Sequence, residues 1–301
     1  MRAVVFAYSN VGDRCLRVLC AQCVDVPLLV THRDTPGETL WFARVADTAA
    51  ELGLPTICLD DAKSPELAAA VAQARPDVIF SFYCRAMLPA ELLALAPLGA
   101  YNMHGSLLPH FRGRAPTNWA VLMGATQTGA TLHEMVAKPD AGFIIDQQAV
   151  PILPDDTGLQ VFDKVCVAAE LVLWRSLPAI MAGAPPRLPN DITAGSYFSG
   201  RKPEDGRVDW RQPAAQVYNL IRAVAPPYPG AFTDIAGQRL IVARARRPLQ
   251  PIAAAGLAPG LQVVDGQIMG VCGDGQAIVI HQLLRGSASL SAADLGKLIA
   301  A

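Results

Sequence analysis

Three short runs, "AVVFAY" at residues 3–8, "VPLLVTH" at 26–32 and "DVIFSFY" at 77–83, are apolar at nearly every position. A strand with one face in water alternates apolar and polar residues. A strand covered on both faces does not, and such strands belong to parallel sheets sandwiched between helices. Helical patterns with readable ends fall between these runs. "LWFARVADTAAELG" stops at Gly53 with Pro55 beyond, and "SPELAAAVAQARPD" opens with Ser64 as cap and Pro65 at the first helical position. The pattern predicts an α/β fold with a doubly wound, Rossmann-like, mostly parallel sheet. The first turn, "YSNVGD", holds no GxGxxG, so the dinucleotide fingerprint is missing where it would sit.

A long helix is expected over Thr157–Ala182, because Phe162, Val165, Ala169, Val172 and Leu173 recur at helical spacing. Near Gly200 the composition changes. After the helix "PAAQVYNLIRAV", short strands alternate with the turn signals Asp265-Gly266 and Gly273-Asp274-Gly275. The expected division is a catalytic domain over residues 1–202 and a small β-rich, OB-like barrel over 203–301.

The whole chain narrows the function classes. Its 301 residues carry a formal net charge of -1, which leaves no cationic surplus for a nucleic-acid partner. Seven cysteines form no paired CxxC set; the lone "CAQC", Cys20 to Cys23, reads as one face of a helix end, and no metal site is expected. Reduced thiols point to a cytoplasmic protein. "MRAVVFAYSN" reads as a first strand and not a signal peptide, and no run approaches the ~20 apolar residues of a membrane span, so no membrane insertion is expected. The number of copies in the assembly is left open, a homo-oligomer included.

The stretch "NMHGSLLPHFRGRAP", residues 102–116, carries the chemistry. Residues two apart on a strand share a face, so Asn102 and His104 point the same way at a strand's carboxyl end, where open α/β sheets bind ligands. Gly105 lets the backbone turn away. Downstream, "TLHEMVAKPDAG" reads as a strand over Thr131–Val136 and a turn with Asp140; if that strand is a sheet neighbour, Asp140 reaches His104. An amide, an imidazole and a carboxylate so placed can run acyl transfer without a protein nucleophile. The amide donates to an oxyanion, the imidazole relays a proton, and the carboxylate orients the ring and favours its protonated form. Taken singly, Asn-x-His is also a satisfied polar pair, Asp140 a turn residue, and Arg112 and Arg114 solvated cations.

The segment from Asn102 to Gln147 resembles the core signature of the 10-formyltetrahydrofolate-dependent formyltransferases: Asn-x-His-x-Ser-Leu-Leu-Pro, then Arg-Gly, Thr-Gly-x-Thr-x-His and Asp-Ala-Gly. Within that family it is most similar to the branch that formylates UDP-4-amino-4-deoxy-L-arabinose in lipid A modification. That branch's dehydrogenase-like decarboxylase half has no counterpart in these residues. The resemblance implies that Asn102 steadies the oxyanion, His104 transfers the proton and Asp140 raises the pKa of His104. It implies that 10-formyltetrahydrofolate is the co-substrate, without a metal, and lies along Ala86, Met87 and Leu88, Arg114, and the loop Val136, Ala137, Lys138, Pro139 and Asp140. A nucleotide-sugar acceptor is implied as partner. Arg112 receives no role.

Two positions depart from the pattern: Phe143 where a small or acidic residue is expected, and Tyr228 where relatives often have Trp. Tyr228 can stack on a base, and Arg201 can meet a pyrophosphate; Ser9 and Asn10 face the acceptor side. The alternative acceptor is methionyl-tRNA. Enzymes acting on it carry a Lys/Arg-rich insert after the second strand. Here "THRDTPGETLWFARV" has only Arg33 and Arg44, beside Asp34 and Glu38, although "ARARRP" supplies Arg244, Arg246 and Arg247 later.

Overall fold

A computed structural model describes residues 1–34, 40–254 and 256–300. Glu38 lies outside the described residues. The chain divides into two compact units: residues 1–116, 128–150 and 163–198 form unit 1, and residues 117–127, 151–162 and 199–301 form unit 2.

The strands of the first part are β1 (Arg2–Ala7), β2 (Asp25–Thr31), β3 (Thr56–Cys58), β4 (Val78–Phe82) and β5 (Ala100–His104). They are followed by β6 (Arg112–Gly113), β7 (Gln127–Glu134), β8 (Ile144–Pro151) and β9 (Tyr197–Phe198). The helices are α1 (Ser9–Ala21), α2 (Val45–Glu51), α3 (Pro65–Ala74), α4 (Ala90–Leu93), α5 (Pro116–Leu122) and α6 (Gly158–Met181). Strand order in the sheet of unit 1 is β3-β2-β1-β4-β5-β7-β8. The pairs β1–β2, β2–β3, β1–β4 and β4–β5 are parallel, as the doubly covered apolar runs require: Val4, Val5, Phe6, Ile79, Phe80 and Phe82 are all fully buried. The order reverses between β1 and β4, which opens the crevice where this fold takes ligands. The sheet is mixed, because β7 runs antiparallel to β5.

Local chemistry explains the ends of the elements. The Ser64 hydroxyl accepts from the Leu67 N–H at 3.1 Å, capping α3. Thr157 and Gln160 form a reciprocal box before α6: the Thr157 N–H donates to Gln160 Oε1 at 2.9 Å and the Gln160 N–H to Thr157 Oγ1 at 3.3 Å. The helical pattern beginning at Leu40 yields a shorter helix, starting at Val45. Two contacts hold the preceding residues: the Ala43 N–H donates to Asn10 Oδ1 at 2.7 Å, and the Phe42 ring meets Tyr8 edge-on with centroids 5.1 Å apart.

Unit 2 contains α7 (Ala214–Ala223) and, after it, β10 (Ala231–Ile235), β11 (Gln238–Arg246), β12 (Ile252–Ala253), β13 (Gly260–Val264) and β14 (Gln267–Val271). It ends with β15 (Gln276–Arg285), β16 (Ala288–Ser289) and α8 (Ala292–Ala300). The path β10-β11-β15-β14-β13 is antiparallel throughout and curls into a half-barrel. Asp265 and Gly266 have φ of 48° and 73° between β13 and β14, as a two-residue hairpin turn demands.

Helix α6 is amphipathic. Leu173 is fully buried and Leu171, two residues earlier, is half exposed. Leu173→Ala should destabilise by about 2–5 kcal/mol, and Leu171→Ala by under ~0.5 kcal/mol, read as shifts in urea midpoint.

Candidate active site

Asn102 and His104 sit two residues apart at the carboxyl end of β5, and the antiparallel register places Asn102 opposite His133 and His104 opposite Thr131. The Asn102 side-chain amide donates to His133 Nε2 at 3.1 Å. His133 Nδ1 is 2.8 Å from the Glu134 carbonyl, which can only accept, so the proton of a neutral His133 lies on Nδ1 and Nε2 receives the amide. His133 thereby selects which end of the Asn102 amide faces it, and leaves the second amide N–H able to donate elsewhere.

His104 is buried, and its Nε2–H donates to the Phe111 carbonyl at 2.9 Å. Its other nitrogen, Nδ1, lies 3.6 Å from Asp140 Oδ1, and His133 Nε2 lies 3.5 Å from the same oxygen. Both separations exceed a good hydrogen bond, so one carboxylate oxygen stands between two imidazoles. The other oxygen, Oδ2, accepts the Gly113 N–H at 2.8 Å. The carboxylate does not come directly from the end of β7. That strand exits beside Tyr101, at the far end of β5, and the loop after it doubles back to bring Asp140 to His104.

The loops are held by short, specific contacts. A Cβ on Gly142 would stand 2.0 Å from the Glu134 carbonyl oxygen, so only glycine lets the neck of the Asp140 loop close on β7. Gly113 has φ of 96°, and a Cβ there would stand 2.1 Å from the Phe198 carbonyl oxygen; its backbone is free to aim the N–H at Asp140. Asn190 Nδ2 donates to the Asp140 and Gly142 carbonyls at 3.0 Å each. The fully buried Thr131 hydroxyl donates to the Ser106 carbonyl at 2.6 Å, and accepts from the Leu108 N–H at 3.1 Å and from Gln147 Nε2 at 2.9 Å. These bonds tie the segment after β5 to β7 and β8. Ser9, Tyr83, Phe111, Ala115 and Asp140 all adopt positive φ without being glycine. Such residues cost of order 1–3 kcal/mol and gather at ligand sites; here they flank the ends of β1, β4 and β5 and the Asp140 loop.

Charge follows burial. Burial disfavours the imidazolium of His104 more than Asp140 favours it, and its pKa falls below the ordinary 6.5. Burial alone would raise Asp140, but the imidazoles of His104 and His133 and the Gly113 N–H together hold it well below the usual carboxylate range. The resting cluster is therefore a neutral His104 beside an ionised Asp140. The sequence-based expectation that Asp140 raises the His104 pKa holds for its direction of action, while desolvation sets the net result.

The other residues singled out from the sequence fall as follows. Met87 is exposed, Ala86 half-buried and Leu88 buried after β4; Val136, Ala137 and Lys138 are exposed and Pro139 half-buried before Asp140; Arg114 is exposed. All belong to unit 1, as do Ser9, buried at the start of α1, and Asn10. Arg201 and Tyr228 belong to unit 2. The Arg201 guanidinium lies 4.9 Å from the Trp119 ring and donates to the Asp205 carbonyl at 2.9 Å. Phe143 carries the Arg187 guanidinium 4.6 Å over its ring. Arg112 is 8% exposed, sits 5.7 Å over the Tyr197 ring, has a buried Nε without a hydrogen-bond partner, and acts to lower the His104 pKa. Among the described residues no group of three or more His, Cys, Asp or Glu side chains is arranged to hold a metal ion.

The signature Thr-Gly-x-Thr-x-His contains Thr131 and His133 but gives neither a role, and Gln147 stands outside every motif element named from the sequence. Thr131 and His133 are two apart on a strand and so share a face, which was a usable signal once β7 was placed beside β5. A histidine NMR titration tests the electrostatics. The His104 ring should titrate below pH 6.5. Asp140→Asn removes the group that opposes desolvation and should move the titration lower still; Arg112→Leu removes a cation and should move it up. An unchanged titration in both variants would refute the account.

Comparison with known proteins places the chain. Residues 15–177 match the family model for formyl transferase, and residues 201–298 match that for the formyl transferase C-terminal domain. Among solved structures, the N-formyltransferase from Helicobacter canadensis, in complex with folinic acid and dTDP-3-aminofucose, is 18% identical. The likeness covers 93% of this chain and 98% of that one, with a TM-score of 0.70. WlaRD, a sugar 3N-formyl transferase determined with dTDP and 5-N-formyl-THF, is 15% identical over 96% of this chain and 98% of its own, with a TM-score of 0.72. A sugar N-formyltransferase from Shewanella sp FDAARGOS_354 is 19% identical over 80% and 96%, with a TM-score of 0.64. At these identities the structures share the fold, and the family matches, which run across both parts of the chain, carry the assignment: this protein belongs to the formyl transferase family, and is a formyltransferase.

Proposed function

We propose that this enzyme transfers the formyl group of 10-formyltetrahydrofolate to the amine of a nucleotide-linked amino sugar, with UDP-4-amino-4-deoxy-L-arabinose as acceptor. The observation that carries the reading is the convergence of Asn102, His104 and Asp140: an amide with a free N–H, a buried neutral imidazole and a carboxylate 3.6 Å from it. In this reading residues 1–202 carry the formyl-folate site and residues 203–301 form the C-terminal domain.

The uncharged amine attacks the formyl carbon, and the C–N bond forms as the carbonyl oxygen takes the electron pair. The second Asn102 N–H donates to that oxyanion. His104 accepts the proton that leaves the amine, which requires the neutral ring that burial provides. The imidazolium then faces Asp140 Oδ1, so charge develops where a compensating carboxylate already stands. The proton passes on to the departing folate nitrogen as its bond to the formyl carbon breaks and the carbonyl re-forms. The co-substrate lies against the exposed apolar edges of Met87 and Val136, beside Ala86, Leu88, Ala137, Lys138 and Pro139, with Arg114 for its carboxylates; these residues fit a flat, partly apolar anion. Ser9 and Asn10 are the proposed acceptor contacts of unit 1.

Two relatives of like fold were determined with a formylated or related folate and a thymidine nucleotide or nucleotide sugar, which supports the acceptor class. The UDP-linked pentose rests on the resemblance of the motif region. Transfer to methionyl-tRNA is disfavoured by the segment after β2. Its only cations, Arg33 and Arg44, are each spent on a carboxylate, Asp60 at 3.0 Å and Asp34 at 2.9 Å, so little charge is left there for a polyanion.

Incubation with 10-formyltetrahydrofolate and UDP-4-amino-4-deoxy-L-arabinose should yield a product heavier by one formyl group; no product from any of a panel of UDP- and dTDP-linked amino sugars would reject the proposal. Asn102→Ala should lower kcat by about 10²–10³, and His104→Ala by about 10²–10⁴. Because the neutral imidazole is the working form and its pKa is depressed, kcat/KM should fall on the acid side below pH 6.5, with the limb moving to lower pH in Asp140→Asn.

A further inference from the structure

Unit 2 contains a cleft of about 610 Å³ that shares no residue with the Asn102–His104–Asp140 cluster. Its lining includes Asp155, Tyr218, Arg222, Arg244, Arg246 and His281. In a regular strand only alternate residues face one side. Here four consecutive residues of β11, Ala243 to Arg246, line the same cleft. The cause is in the register. Val242 opposes Leu283 and Arg244 opposes Gln282, so β11 carries one extra residue; Ala245 then opposes Ile280, so β15 carries the next extra residue, His281. Paired bulges of this kind re-aim side chains, and they bring Arg244, Arg246 and His281 to the rim.

The floor adds a third guanidinium. Arg222 is buried, and among the described residues it donates to neutral oxygens: the Asn219 side chain at 3.0 Å and the carbonyls of Asp156 at 3.0 Å, Val121 at 3.4 Å and Leu153 at 3.5 Å. The cleft lining has one carboxylate, Asp155, which accepts the Tyr218 hydroxyl at 2.7 Å and stands 3.9 Å from Arg246. The lining of this concave space, large enough for a nucleotide, therefore carries three guanidiniums and one carboxylate, with the charge of Asp156, outside the lining, also acting on Arg222. We propose that this cleft is a second ligand site of the protein, binding a small phosphorylated anion of mono- or dinucleotide size or less, with Arg244 and Arg246 gripping the phosphate oxygens.

The test titrates the full chain with inorganic pyrophosphate and, separately, with UDP, by calorimetry, and maps protection by hydrogen exchange. Both ligands should bind, with protection in Ala214–Ala223 and Gln238–Arg246, and Arg244→Ala/Arg246→Ala should weaken binding on the order of 10- to 100-fold. UDP binding more tightly than pyrophosphate would identify a nucleotide ligand, and equal binding a phosphate group alone; either supports the site. Both substituted residues are exposed, so the fold should persist, and Asn102→Ala should retain the protection of β11. Absence of binding, protection confined to other segments, affinity indifferent to the double substitution, or preferential binding of a short RNA over both small anions would each overturn the proposal.

Discussion

The antiparallel pairing of β5 with β7 is the constraint on which the site rests. It puts His133 opposite Asn102 and Thr131 opposite His104. A slip of one residue would turn both partners to the other face of the sheet. The amide would lose the group that orients it, and the segment after β5 would lose the hydroxyl that ties it down. The register is well determined because Leu132, between the two, is fully buried opposite Met103, and a slip would exchange that apolar pair for polar side chains. Core packing on one face thus sets the chemistry on the other.

The Asp140 loop solves a problem that the pairing creates. An antiparallel neighbour leaves the sheet at the wrong end to deliver a carboxylate, so the chain has to return. Gly142 permits the close neck, Asn190 spans the turn, and the Gly113 N–H fixes the carboxylate by one oxygen. The left-handed backbone of Asp140, at φ 51°, is a conformation that Asp tolerates better than most residues. With one oxygen anchored, the other stands 3.6 Å from His104 Nδ1 and 3.5 Å from His133 Nε2.

Much of the architecture was legible from residue pattern, and the reasons are specific. β1 and β4 are apolar on both faces because they are covered on both, and the sequence has no other way to write that requirement. Ser64, Pro65 and Gly53 mark helix ends through their own backbone and side-chain chemistry. The direction of β7 was not legible, since parallel and antiparallel neighbours can share one apolar pattern. His133 was hidden for the same reason: a histidine inside a strand is ordinary until its cross-strand partner is known. The residues before α2 read as helical because Trp41, Phe42 and Val45 have helical spacing, yet Asn10 captures the Ala43 N–H. A single side-chain acceptor from a distant turn outweighs a weak local preference. Arg112 has no role legible in the sequence, because its burial and its unpartnered Nε depend on the fold around it.

Burial and charge pull His104 in opposite directions, and the outcome suits a proton acceptor better than either influence alone. An exposed imidazole beside Asp140 would rest protonated and have no lone pair to offer. A buried imidazole without Asp140 would be neutral but would resist protonation when the proton arrived. With desolvation dominant at rest and the carboxylate fixed 3.6 Å away, the ring would be neutral before the proposed transfer and compensated after it. The gap matters as much as the partner. A closer carboxylate would bind the imidazolium so well that the ring would hold its proton through the resting state, and a more distant one would leave the charge uncompensated in a medium that screens little. The Gly113 N–H, by holding Oδ2 at 2.8 Å, keeps Oδ1 at that intermediate reach.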